Sequence, residues 1–68
     1  MGAKDNLSER QIEVMNLIKV GHTNKRIAHI LQISEQTIKN HVSVILLVLN
    51  ADNRAHAVYL CMRKGIID

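Results

Sequence analysis

Lys39, Asn40 and Ser43 fall close together at a spacing that places all three on one broad side of a helix, with Gln36 beside them. A lysine donates to guanine O6 or N7, an asparagine pairs bidentately with adenine, and a serine hydroxyl donates or accepts. The trio therefore suits the edges of base pairs in a DNA major groove. Ser34 and Thr37 stand where a helix leaves backbone N–H groups unpaired, and such a start suits phosphate oxygens. Lys25 and Arg26 would flank the groove and neutralise further phosphates. The plainer reading of the same residues is the solvated outside of a helical bundle, and this helix alone does not separate the two.

Other chemistry finds little support. His22, His29, His41 and His56 contain no pair at i and i+4 and have a single cysteine for company, so no metal site and no cofactor is expected. Cys61 reads as a small buried apolar residue. No carboxylate pair, glycine-rich phosphate loop or nucleophile–base arrangement is visible, and so short a domain has no room to shelter one. An enzyme is not expected. One cysteine excludes an internal disulfide framework, and there is no signal peptide and no apolar run of the roughly 18 residues that span a bilayer. These features point to a cytoplasmic protein without a membrane partner.

The charge distribution favours a polyanion. Nine Lys and Arg stand against six Asp and Glu, a net charge of +3. Residues 19–41 hold Lys19, Lys25, Arg26 and Lys39 against Glu35 alone.

The elements that must position these residues are helical. Sixty-eight residues allow one domain, with 47% hydrophobic residues, one aromatic and no proline, which suits an aliphatic core between packed helices. Residues 1–6 carry no periodicity and read as a disordered or linker end. Ser8 and Gln11 have the spacing of a capping box with Leu7 as its staple, and Ile12, Val14, Met15, Leu17 and Ile18 line a first helix over about 9–20, which Gly21 ends. Thr23 or Asn24 caps a short second helix with Ile27, Ala28, Ile30 and Leu31 inward. Ser34 reads as a fresh N-cap, so that helix ends by Gln32 and the connection is about three residues, the geometry of a helix-turn-helix.

The third helix runs from Glu35 to Leu49, with Ile38, Val42, Ile45 and Leu49 facing the core and Asn50 able to stop it in the left-handed conformation. Asp52 or Asn53 caps a fourth, through Ala57, Val58 and Cys61 to Lys64, closed by Gly65. Met15 and Met62 read as core. Tyr59 reads as a surface or subunit-seam residue.

The run LSERQIEVMNLIKVGHTNKRIAHILQISEQTIKNHVSVIL, followed by NRAHAV, resembles the LuxR-type helix-turn-helix domain, the effector of many bacterial response regulators and quorum regulators. The likeness covers about residues 7–67. It implies an all-α, four-helix domain whose second and third helices bind double-stranded DNA in a transcriptional regulator. By position it implies base reading at Lys39, Asn40 and Ser43, and phosphate contact around Asn24, Lys25, Thr37 and His41, with Arg54 a further candidate. It also implies a homodimer through the fourth helix, with Ala55, Val58, Tyr59 and Met62 at the seam, and a receiver or sensing domain elsewhere in the regulator. A sigma-factor DNA-reading domain shares this logic but fits the R-x-x-A-V of the fourth helix less well.

The chain departs from that family downstream of His41, where Val44, Leu47 and Val48 stand in place of polar and basic residues. Leu47 continues the outward stripe of Gln36, Asn40 and Ser43. Fewer cations there weaken the hold on phosphates and flatten the salt dependence by roughly 0.9 log unit for each phosphate left without a cation. The alternative expectation is a protein-interaction module of the same fold with weakened DNA affinity.

Overall fold

The computed structural model describes residues 7–68, which form four helices and no strand: α1 (Glu9–Lys19), α2 (Asn24–Leu31), α3 (Glu35–Leu49) and α4 (Arg54–Arg63). The all-α class read from the sequence is the one observed. The expected linker end at residues 1–6 lies outside the described residues.

Each helix starts where a side-chain oxygen can take one of the N–H groups that the first turn leaves unpaired. Ser8 Oγ accepts from the Gln11 N–H at 3.1 Å while Gln11 Oε1 accepts from the Ser8 N–H at 3.0 Å, so the capping box closes in both directions. At α2 the cap is Thr23, whose Oγ1 accepts from the Arg26 N–H at 3.1 Å. That choice makes Asn24 the first helical residue and releases its side chain for another partner. At α4 the cap is Asn53, which accepts from the His56 N–H at 2.8 Å.

The helix ends are equally local. Gly21 at φ 98° and Asn50 at φ 56° supply the left-handed residues expected after α1 and at the end of α3. The end of α2 carries no such signal in its sequence. Gln32 takes φ 58° and ψ 44°, although glutamine has neither the freedom of glycine nor the short side chain of asparagine. The turn is held by hydrogen bonds from the Gln32 N–H to the His29 carbonyl (3.3 Å) and from the Ile33 N–H to the Ala28 carbonyl (3.0 Å). Two residues later Ser34 caps α3, so the connection is as short as its sequence suggests.

The core gathers Val14, Met15 and Ile18 from α1, Ile27 and Ala28 from α2, Ile38, Ile45 and Leu49 from α3, Ala57 and Cys61 from α4, and Ile67 from the segment that folds back after α4. α1 and α3 pack against each other and against both remaining helices, whereas α2 and α4 do not pack on one another. Complete burial of a side chain such as Ile38 or Ile45 contributes about 1.5–3 kcal/mol, and truncation to Ala costs about 2–5 kcal/mol. This packing fixes which side of α3 is left outside.

Two expectations are corrected. Ile30, assigned to the inner side of α2, is 39% exposed. At helical spacing Ile27, Ala28 and Leu31 centre the inner arc and Ile30 falls at its edge, in a shallow groove with Leu17 and Leu31. Met62, read as core by default, is 47% exposed. The buried line of α4 is Ala57 and Cys61, and Met62 lies about a third of a turn round from it.

Candidate nucleic-acid interface

Burial of Ile38, Ile45 and Leu49 turns Gln36, Lys39, Asn40 and Ser43 outward, and all four are exposed. The three proposed base readers are therefore brought together on one surface. Gln36, which the sequence marks as outward but gives no role, joins them. Its Nε2 donates to Asn40 Oδ1 at 3.1 Å, one helical turn away. Lys39 has no acidic partner among the described residues.

The start of α3 is more occupied than its sequence suggests. Ser34 Oγ accepts from the Thr37 N–H at 3.0 Å, and the two hydroxyl oxygens lie 2.8 Å apart. Of the two hydroxyl protons one lies between them, so the pair keeps a single proton for an outside acceptor. The first N–H groups of the helix, at Glu35 and Gln36, lie beyond the reach of intrahelical bonding and face the same region. His41 is half-buried.

α2 carries the second group of phosphate candidates. Lys25 and Arg26 are exposed in its first turn, which contains no acidic residue, unlike the first turns of α1 and α3. Cations at the positive end of a helix dipole are unfavourable by about 0.3–1 kcal/mol each unless an anion arrives. Neither is paired with an acid among the described residues. A local arrangement that opposes helix stability in this way suits a polyanion partner.

Asn24 and Arg54 behave differently from exposed phosphate ligands. Arg54 Nη1 donates to Asn24 Oδ1, and Nη2 donates to the His22 carbonyl at 3.1 Å, in a partly buried setting. The guanidinium thus ties the first residue of α4 to the first residue of α2. It commits part of its donor set internally and keeps the rest.

Ala55, Tyr59 and Met62 are exposed on one side of α4, with Val58 half-buried at its margin. Tyr59 is 54% exposed, its hydroxyl accepts from Arg63 Nη1 at 3.2 Å, and the Arg63 guanidinium lies over its ring. Val44 and Val48 are exposed on α3, and Leu47 is 81% exposed. The apolar continuation of the outward stripe is therefore real surface. Among the described residues no three His, Cys, Asp or Glu come together as metal ligands, and no helix is long and apolar enough to cross a membrane.

Residues 5–61 match the family described as bacterial regulatory proteins, luxR family. The chain is 42% identical over 59 residues to the transcriptional regulatory protein DegU of Brevibacillus brevis, covering 87% of this chain and 25% of DegU. It is 40% identical over 58 residues to the nitrate/nitrite response regulator protein NarP of Escherichia coli, covering 85% of this chain and 27% of NarP. With the glycerol metabolism activator of Pseudomonas putida it shares 44% identity over 62 residues, 91% of this chain and 27% of that protein. The chain thus spans about a quarter of the length of these relatives.

Proposed function

Because this chain belongs to the luxR family of bacterial regulatory proteins, we propose that it is the DNA-binding module of a transcriptional regulator, with α3 lying in the major groove of double-stranded DNA. The family is one of regulators, and the chain is not an enzyme. The observation that carries the groove reading is the exposed face of Gln36, Lys39, Asn40 and Ser43, presented by a connection too short to let α3 turn away. Lys39, Asn40 and Ser43 read base edges, and Lys25, Arg26, Thr37 and the start of α3 at Ser34 hold phosphates. His41 and the remaining donors of Arg54 add to that hold. Asn24 acts through Arg54.

The exposed side of α4, Ala55, Tyr59 and Met62 with Val58, is the seam of a homodimer on two half-sites one helical turn of DNA apart. Such a module works in the cytoplasm beside a receiver or sensing domain; the response-regulator name of NarP supports the receiver part of this reading.

The test is a salt titration of binding to random-sequence duplex DNA, with backbone amide NMR shifts followed residue by residue. Shifts centred on residues 24–26 and 34–43 that fade with salt are expected, because counterions compete for the phosphates. A folded domain that is silent at these residues overturns the reading.

A second reading rests on Val44, Leu47 and Val48, whose exposure is unusual on a helix that leaves a groove past charged phosphates. In it the fold is kept, DNA affinity is weak, and the C-terminal half of α3 meets a protein.

A further inference from the structure

Gln36 and Asn40 stand about 6 Å apart along the exposed side of α3, and Gln36 Nε2 donates to Asn40 Oδ1 at 3.1 Å. Among the described residues nothing else engages either side chain. An unrestrained asparagine amide turns over about its last torsion and offers oxygen or nitrogen to a base with equal ease. Here the bond to Gln36 holds Oδ1 toward the start of the helix. The two Nδ2 protons of Asn40 are left for an outside partner, and Gln36 keeps Oε1 as an acceptor.

Resting on the groove reading of α3, we propose that Gln36 is a specificity-determining residue that sets which way Asn40 reads. Asn40 then presents a donor to an acceptor edge of a purine, N7 or guanine O6, and the acceptor needed for an exocyclic amine comes from Gln36 Oε1. An isolated asparagine would supply both halves of adenine recognition itself. The joined pair distributes them over one helical turn, comparable to the rise of two base-pair steps.

The experiment selects duplexes from a random-sequence pool with the parent chain and with Gln36→Glu, Gln36→Ala and Asn40→Ala, each checked by amide NMR for an unchanged fold. Asn40→Ala identifies the base position that Asn40 reads, because preference there disappears. A Glu at position 36 cannot donate, so its carboxylate accepts from Asn40 Nδ2 and turns Oδ1 outward. The preferred base at that position is then expected to change from one that presents an acceptor to one that presents an amine, by about tenfold. Any general loss of affinity from the added charge cancels in the ratio between bases. Gln36→Ala frees the amide and is expected to broaden the preference at the same position.

An unchanged preference in Gln36→Glu overturns the inference; if the added charge abolishes binding, an unchanged preference in Gln36→Ala does so. If Asn40→Ala erases no preference anywhere while the parent chain selects a sequence, Asn40 reads no base and the inference alone falls. A parent chain that selects no sequence at all overturns the groove reading beneath it.

Discussion

Arg54 and Asn24 join two helices that otherwise do not pack against each other. The guanidinium at the start of α4 reaches the side chain at the start of α2 and the His22 carbonyl just before it, fixing the end of α2 that carries Lys25 and Arg26. Removal leaves two acceptors without their charged donor. Arg54→Ala is therefore expected to destabilise the domain by about 1.5–3 kcal/mol in urea unfolding. Arg54→Lys is expected to recover little, since one ammonium does not reproduce the fork of the guanidinium. The salt slope of DNA binding separates its two roles. A slope unchanged in a folded variant means that Arg54 only clamps, and a slope smaller by about 0.9 means that it also holds a phosphate.

Lys39 and Lys25 are expected to fail in different ways. Lys39→Ala should cost about 1–3 kcal/mol on the preferred duplex and relax preference at one base position. Lys25→Ala should weaken all duplexes alike and lower the salt slope by about 1. Titrations against a selected and a scrambled duplex read both, and equal losses on the two duplexes for Lys39→Ala would remove it from the base-reading set.

The apolar end of α3 makes its own prediction. The double substitution Leu47→Lys with Val48→Lys is expected to raise affinity for DNA and steepen the salt slope by up to about 0.9 for each phosphate newly neutralised. No gain, with the fold intact, would sink the idea that missing cations limit binding. It would favour a protein partner at Val44, Leu47 and Val48.

Gln32 carries a conformation that an L residue adopts at a cost of about 1–2 kcal/mol. Gln32→Gly removes that cost and adds about 0.5–1 kcal/mol of unfolded-chain entropy. A net change between about zero and a gain of about 1.5 kcal/mol is expected, the gain seen as a raised Tm. A loss would mean that the glutamine side chain supports the turn.

Much of this domain is determined by neighbours in the chain. The capping box of Ser8 and Gln11, the stop at Asn50 and the stripe of Ile38, Val42, Ile45 and Leu49 are local. They follow from which side chain can reach which backbone group and from the helical period. For the same reason Lys39, Asn40 and Ser43 are legible as one face, since a helix with one apolar stripe has only one other side to offer. The exposure of Leu47 is legible in the same way.

What neighbours do not determine is set by packing across the chain. The choice of Thr23 over Asn24 as cap, the commitment of Asn24 to Arg54, and the outward position of Ile30 and Met62 depend on where helices remote in sequence come to lie. Gln32 gives no sign of its left-handed turn, because the turn is closed by backbone bonds to the His29 and Ala28 carbonyls, with α2 packed against α3, and not by the residue's own preference. The bond between Gln36 and Asn40 belongs to both levels. Spacing puts the two amides in reach, but only the burial of the opposite side of α3 holds them together on the outside, with one oxygen turned inward to its neighbour and the donors left for a partner.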